Sequence, residues 1–232
     1  MATDEIKLSM KLLIDTKNKK VVFAEVENDF VDFLFYILTL PLSTVTKLLK
    51  DKGMNGCLPN IYESVENLND TYMKSKHIIL QPKCPVNISK APLPLLDGIP
   101  TLTTLYKCSN STCTAYNVTD DPGSNCPGCM FRKMSVQVVY AGPPGVKESK
   151  AATGFFVKDV VKYMVMDDLV VKPLTLSNIT ALKDYSTIKE IVSLHEEVVQ
   201  FGKEEALKLL KSSLESKAVL TSVFMSLVKV EK

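Results

Sequence analysis

Four of the chain's six cysteines lie within residues 108–129, in the spacing C-x4-C-x12-C-x2-C. They are Cys108, Cys113, Cys126 and Cys129. Tetrahedral zinc is typically bound by two short loops that each supply two thiolates, and this spacing provides two such pairs. A site with four thiolate ligands leaves no open position for water or substrate. We therefore predict a structural zinc ion, bound by these four side chains.

Three other uses of the four cysteines have to be weighed against zinc. A disulfide framework needs an oxidising compartment, which nothing in the sequence indicates. A thioredoxin-type C-x-x-C pair should begin a helix after a strand, whereas the residues from Met130 onward are strand-like. Neither common iron–sulfur spacing is present. Zinc is favoured over all three, although the C-x4-C half is looser than the C-x2-C half.

The remaining residues with chemical potential do not form a catalytic motif. His195 is followed by two glutamates, but adjacent side chains point in different directions, so we expect a surface histidine. His77 is expected at the start of a strand, and Asp167-Asp168 at a solvated turn or strand edge. Cys57 and Cys84 are expected to be small, partly buried side chains. The sequence assigns no catalytic residue and favours a non-enzymatic role, while an enzyme with an unrecognised site remains an alternative.

The elements that position the cysteines are predicted to form a zinc-ribbon-like insert. Strand-like segments at 101–107 and 134–140 bracket the four cysteines and would place both loops at one end of a hairpin. Tyr106, Tyr116 and Phe131 are expected to pack over this hairpin, which has few other apolar residues. With the preceding proline-rich stretch, the insert occupies residues 81–145 and ends in a loop at 142–145. The polar stretch that follows, 147–153, is expected to be mobile.

The first 80 residues are predicted to form an N-terminal α+β unit. Alternating apolar residues indicate a β-hairpin over 6–25 with a polar turn at T-K-N-K-K. A helix capped by Asn28 or Asp29 is apolar almost all round and is therefore expected to be buried, and Pro41 ends it. Further helices are predicted over 43–50 and 59–73.

Residues 154–232 are predicted to form a C-terminal α+β unit packed on the first. We expect a strand over V-K-Y-M-V-M-D-D-L-V-V, a short helix capped by Ser177 and reaching Leu182, and a strand over 197–201. A helix after Gly202 has one apolar face, formed by Ala206, Leu207, Leu210 and Leu214. The two units have a similar strand–helix rhythm, so an internal duplication is one interpretation and two unrelated units the other. The predicted class is α+β, with a β-hairpin and helix unit at each end.

Composition and charge limit the classes of partner. The formal net charge is +2, and Arg132 is the single arginine among 28 basic residues. Arginine supplies the planar fork that reads phosphate and guanine edges, so specific nucleic-acid binding is not expected. A nucleic-acid-binding zinc ribbon remains an alternative. We instead expect a binding or scaffolding role with an unknown protein partner, contacted through the last helix or the segment T-L-P-L-S-T-V.

The location is predicted to be intracellular, either cytoplasmic or nuclear. Acidic residues in M-A-T-D-E-I-K stand where a signal peptide needs a basic region and an apolar run. The most apolar stretch, 33–42, is too short to span a bilayer. No membrane association is therefore expected.

Several stretches together resemble a plant protein family known as domain of unknown function 674. They are K-L-L-I-D-T-K-N-K-K-V-V-F-A-E, D-F-V-D-F-L-F-Y-I-L-T-L-P-L-S-T-V, G-C-L-P-N-I-Y-E-S-V-E-N-L, Y-K-C-S-N-S-T-C, M-V-M-D-D-L-V-V-K-P-L and L-E-S-K-A-V-L-T-S-V-F. The resemblance covers nearly the whole chain and implies no activity. It implies that members often have the cysteine-bearing middle, and that some resemble two copies of this unit where this chain is one.

Overall fold

The computed structural model describes residues 7–73, 76–82, 93, 95, 104–138, 156–157, 162–178 and 194–226. Helices and antiparallel sheets are both present, with the cysteine cluster in the middle of the chain, which confirms the α+β class. In the described part, the strands form a five-stranded sheet and a three-stranded sheet. The predicted loops at 142–153 and most of the proline-rich stretch lie outside the described residues.

The first two strands form the predicted hairpin. Strand β1 spans Leu8–Asp15 and β2 spans Lys20–Val26, and they pair in antiparallel register from Lys11↔Glu25 to Asp15↔Lys20. The Asp15 carboxylate fixes the turn, because it accepts hydrogen bonds from the Asn18 backbone N–H at 3.0 Å and from Asn18 Nδ2 at 2.7 Å. Lys19 completes the turn in the left-handed region, with φ of 50°.

Three later strands extend this hairpin into one sheet. They are β6 (Tyr163–Met166), β7 (Val171–Pro173) and β8 (Leu194–Phe201), and the sheet order is β7-β6-β2-β1-β8. The stretch V-K-Y-M-V-M-D-D-L-V-V, predicted as one strand, instead contains β6 and the start of β7. These two strands form a hairpin whose turn includes Asp167 and Asp168. β8 begins three residues earlier than predicted and pairs with β1 along its full length.

The helices cover the sheet and build most of the core. They are α1 (Asn28–Ile37), α2 (Leu42–Leu49), α3 (Leu58–Asn67), α4 (Lys76–Leu80), α5 (Lys203–Glu215) and α6 (Val219–Phe224), with 3-10 turns at Lys50–Lys52 and Asp70–Tyr72. The predicted burial of α1 is confirmed: Phe30 and Phe33 lie edge-on against Phe201 of β8, with ring centroids 4.9 and 5.1 Å away. His77 lies exposed in α4, so its predicted strand start is wrong.

Three helix details depart from the sequence prediction. Glu27, rather than Asn28 or Asp29, holds the N-cap position of α1. In α5, Leu209 is fully buried with Ala206 and Leu210, whereas Leu214 is 55% exposed. The last turn of α5 therefore extends past the core to the protein surface. The predicted cap at Ser177 is replaced by Thr175, two positions earlier, whose Oγ1 accepts the Asn178 N–H at 3.3 Å. The predicted end of this helix at Leu182 lies outside the described residues.

Two buried carboxylates hold distant segments together. Asp32 of α1 is 1% exposed, and its Oδ1 accepts the backbone N–H groups of Phe156 and Val157 at 2.6 and 2.9 Å. Asp167 is 9% exposed and accepts from the Thr221 N–H at 2.7 Å and the Thr221 hydroxyl at 2.9 Å. The prediction of a solvated Asp167 is therefore wrong, while Asp168 is exposed as expected.

Among the described helices, none alone is long and apolar enough to cross a membrane. Residues Asn28–Ile37 and Leu42–Lys52 reach that length and hydropathy only as a pair, and this pair is bent by 104°.

Candidate metal centre

A three-stranded antiparallel sheet positions the four cysteines. Its strands are β3 (Leu105–Cys108), β4 (Val118–Thr119) and β5 (Met134–Val138), in the order β4-β3-β5. The strand predictions on either side of the cysteines are confirmed within the described residues. Because β3 and β5 are antiparallel, the end of β3 lies beside the start of β5. The loop after β3 and the loop before β5 therefore emerge at the same end of the sheet.

The first loop carries Cys108 and Cys113, and an asparagine shapes it. The Asn110 side-chain oxygen accepts hydrogen bonds from the Thr112 N–H at 3.1 Å and the Thr112 hydroxyl at 2.8 Å. The Asn110 carbonyl also accepts the Cys113 N–H at 3.1 Å. Asparagine commonly stabilises such turns with its side chain. This turn reverses the direction of the chain, so that Cys113 lies opposite Cys108.

The second loop carries Cys126 and Cys129 in a narrow hairpin. The Cys126 N–H donates to the Arg132 carbonyl at 2.9 Å, and the Met130 N–H donates to the Cys126 carbonyl at 2.8 Å. Met130 has φ of 54°, in the left-handed region of backbone conformation that few residues other than glycine and asparagine adopt readily. The hairpin thus turns sharply just after the fourth cysteine, which directs both sulfurs to the same side.

The four sulfurs meet at one point. All lie within 4.8 Å of one another; Cys108 Sγ is 3.6 Å from Cys129 Sγ, and Cys113 Sγ is 3.8 Å from Cys126 Sγ. A tetrahedral zinc ion with Zn–S bonds of about 2.3 Å separates its sulfurs by about 3.8 Å. A disulfide needs about 2.05 Å, and all four thiols are free. Within the described residues, this cluster could hold a metal ion.

Backbone amides point at each sulfur in a repeated pattern. The Asn110 N–H donates to Cys108 Sγ at 3.4 Å, so the donor lies two residues after the cysteine. The same offset recurs at the other three, where the amides of Ala115, Gly128 and Phe131 donate to their respective sulfurs. Amide donors stabilise thiolate more than thiol. All four positions are therefore arranged to carry negative charge.

Without a cation, the close sulfurs cannot all carry that charge. The Phe131 amide, partly opposed by burial, lowers the pKa of Cys129 to about 6. At Cys108 the Asn110 amide also lowers the pKa, but burial and the neighbouring thiols outweigh it and raise the pKa to about 12. One member of the 3.6 Å pair thus ionises while the other keeps its proton. A bound cation removes this conflict by stabilising both thiolates.

The cysteines also form most of the interior around this sheet. The buried cluster consists of Cys108, Cys126 and Met134, with Tyr106, Cys113 and Cys129 packed against it. Met134 is the one fully apolar side chain in that cluster. So small an apolar interior buries too little surface to offset the chain entropy of folding. The four cysteine side chains therefore supply much of the interior of this three-stranded sheet.

Gly128 allows the two loops to approach each other. A Cβ on this residue would lie 2.2 Å from Ala115 Cβ, far inside contact distance. The missing side chain of this glycine therefore makes room for the opposite loop. No local sequence pattern reveals that role, because Ala115 is thirteen residues away.

Two aromatic residues depart from the prediction. Tyr106 packs against the cysteine cluster as expected, but Tyr116 is 99% exposed and Phe131 is 91% exposed. Both lie on loops beyond the last paired residues of the sheet, where nothing described covers them. The prediction that they pack over the hairpin is therefore wrong. Both lie at the surface, together with Met130, which is 77% exposed.

The other candidate residues do not join this site. His195 Nε2 lies 3.2 Å from Glu197 Oε2 on the exposed face of β8, which agrees with the expected surface histidine. Glu197 is two positions away and therefore on the same strand face, whereas the adjacent Glu196 pairs with Lys11 on β1. Cys57 is exposed rather than partly buried, and Cys84 lies outside the described residues.

Comparison with known proteins supports a family but no activity. Neither a curated protein nor a solved structure gives a match to this chain. Residues 4–232 match the sequence model of a family described as protein of unknown function (DUF674). Because that match covers nearly the whole chain, the protein belongs to the DUF674 family.

Proposed function

We propose that the protein binds one zinc ion through Cys108, Cys113, Cys126 and Cys129, and that this ion stabilises a zinc ribbon with a non-catalytic binding role. The observation that carries the proposal is the convergence of four sulfurs, with separations of 3.6 and 3.8 Å that match the edge of a zinc–thiolate tetrahedron. A cluster of several irons would hold its cysteine sulfurs farther apart than a single ion does.

The role of the ion follows from its ligand set. Four thiolates complete the tetrahedral shell, so the ion offers no position to activate water or polarise a substrate. Binding energy of such sites is available to fold the surrounding chain. The ribbon has little other core, which supports a structural rather than a catalytic function. Thiolate ligands suit the predicted intracellular location, because an oxidising compartment favours disulfides.

A pair of cysteine variants tests this proposal. Cys126→Ser removes a buried ligand, and Cys57→Ser removes an exposed thiol outside the cluster. We expect the first variant to lose bound zinc and the NMR signals of a folded ribbon, while the second retains both. Elemental analysis and amide spectra of the full chain provide the readout. Zinc retained at full stoichiometry in Cys126→Ser would contradict the proposed ligand set.

A protein partner is the expected target of the binding role, and exposed apolar residues support it. Leu42 of the T-L-P-L-S-T-V segment is 60% exposed, and Leu38, directly before that segment, is 83% exposed, while Leu40 between them is buried. Large apolar side chains clustered on a surface commonly mark interaction sites. Affinity capture from native extract, compared between the wild type and Leu42→Ser, tests this surface. Identical captured proteins for both would remove the segment from the proposal.

Nucleic-acid binding is the second candidate, and one observation favours it. Tyr116 and Phe131 are exposed enough to stack on unpaired bases, with Arg132 and Lys133 directly following. Asp120 and Asp121 in the same ribbon oppose phosphate binding, so the expected affinity is weak and salt-sensitive. Titration with single-stranded and duplex oligonucleotides at physiological salt discriminates the two candidates. Submicromolar binding that falls in Arg132→Ala/Lys133→Ala would favour the nucleic-acid role.

A further inference from the structure

We propose that a cavity on the five-stranded sheet, well separated in sequence from the cysteines, binds a small organic phosphate. The cavity has a volume of about 800 Å³. It lies where the β1–β2 turn, the β6–β7 turn and the segment between α5 and α6 come together. Pockets of roughly 300–1,000 Å³ are typical of small-molecule sites. Four lysines line this one: Lys19, Lys20, Lys172 and Lys217.

These lysines are available to a ligand. Within the described part of the chain, none of the four forms an ion pair, although lysines elsewhere do: Lys11 pairs with Glu196 and Lys50 with Glu66. All four cavity lysines are exposed. Positive charges without an ion-pair partner that line one concave surface repel one another and attract an anion.

The two acids beside the cavity do not neutralise it. Asp167 is buried and accepts both hydrogen bonds from Thr221, so its charge is used inside the fold. Asp168 is exposed, and its Oδ1 accepts the Val170 N–H at 3.2 Å within the β6–β7 turn. Counting both as fully charged, the described residues of the lining still include four lysines against two aspartates, which leaves a net positive charge.

The walls of the cavity are held in place before a ligand arrives. Asn18 is fixed by two hydrogen bonds to the buried Asp15 carboxylate. Thr221 is fixed by Asp167 and also accepts the Val21 N–H through its hydroxyl at 2.9 Å. Preorganised walls reduce the ordering cost of binding. The lysine ammonium groups are then the principal parts that move to meet the ligand.

The lining identifies the ligand class. Lysine is a compact point charge that binds phosphate without the bidentate geometry of arginine. Between the lysines lie the apolar side chains of Val22, Met166, Val170 and Ala218, which can contact a carbon skeleton. A phosphate monoester with an apolar group satisfies both parts. That chemistry occurs in soluble phosphate esters and in lipid headgroups, and the experiment separates the two sources.

The test uses the full chain at low ionic strength and three probes. Isothermal titration measures binding of inorganic phosphate and of phenyl phosphate, and co-sedimentation measures binding to phosphatidylcholine vesicles with and without phosphatidic acid. Lys20→Gln/Lys172→Gln removes two cavity charges. Lys47→Gln/Lys208→Gln removes two exposed charges outside the cavity and is the matched control.

We expect saturable binding of phenyl phosphate, tighter than that of inorganic phosphate because only the ester uses the apolar lining. The cavity variant should weaken it on the order of tenfold, and the control by no more than about twofold. Binding of phosphatidic acid vesicles with little binding of phenyl phosphate would assign the lipid source. The proposal is overturned by equal losses in both variants, or by no saturable binding of any probe.

Discussion

Gly128→Ala is the substitution that most sharply probes how the two cysteine loops fit together. The added methyl group would lie 2.2 Å from Ala115 Cβ, whereas two methyl carbons in contact are about 3.5–4.0 Å apart. Neither residue has a flexible side chain that could turn away. The loops therefore have to separate by more than an ångström. Because Cys126 and Cys129 flank this glycine, that movement pulls their sulfurs away from the first loop.

The size of the effect follows from this overlap. Forcing an extra methyl group into a tightly packed site typically costs about 1–3 kcal/mol. If this cost falls on the metal-bound state, zinc affinity decreases by about tenfold to a hundredfold. The cysteine ligands themselves remain present, so we expect weakened binding rather than its complete loss. A competition titration with a chromogenic chelator measures the affinity directly.

A compensating substitution at Ala115 makes the reasoning easy to refute. In Gly128→Ala/Ala115→Gly the obstructing methyl is absent, and the next nearest atoms are Asn117 Nδ2 at 3.6 Å and Ala115 Cα at 3.7 Å, both ordinary contacts. We therefore expect the double variant to recover most of the lost affinity. Wild-type affinity in Gly128→Ala alone, or no recovery in the double variant, would show that the close approach does not control the site.

Three predictions concern the five-stranded sheet and its helices, and thermal or denaturant unfolding measures each. Leu34→Asp places an unpaired charge at an 8% exposed position of α1 and should cost several kcal/mol, enough to unfold a typical domain; an unchanged melting temperature would place the helix at the surface. Asp32→Ala leaves the Phe156 and Val157 amides without their acceptor and should cost about 2–4 kcal/mol, whereas the exposed Asp51→Ala should cost almost nothing. Thr221→Val removes the hydroxyl between Asp167 and Val21 and should cost about 1–3 kcal/mol; Thr221→Ser should be nearly neutral, and equal costs would refute the role of the hydroxyl.

Local sequence patterns predicted the elements whose cause is local. The alternation in β1 and β2, with a polar turn between them, was sufficient to predict their hairpin. The all-round apolarity of α1 predicted its burial correctly. Cysteine spacing predicted which sulfurs would meet, because two short loops at the same end of a hairpin leave little freedom for their arrangement.

Features that depend on distant segments were not predictable in this way. Asp167 and Asp168 look equivalent in sequence, yet only Asp167 faces Thr221, which is more than fifty residues away. Nothing local indicates that β8 joins the sheet beside β1, so the faces of both strands could not be assigned. Similarly, the exposure of Tyr116 depends on how far the small sheet extends. The internal duplication stays a hypothesis.

The most direct test of the central claim is the coordination of the metal in the wild-type protein. Full-length protein purified without chelator should contain one zinc ion per chain by elemental analysis. X-ray absorption at the zinc edge should then show four sulfur ligands at about 2.3 Å and no oxygen or nitrogen ligand. Metal-free protein with four free thiols and an intact three-stranded sheet, or zinc bound with fewer than four sulfurs, would contradict the account.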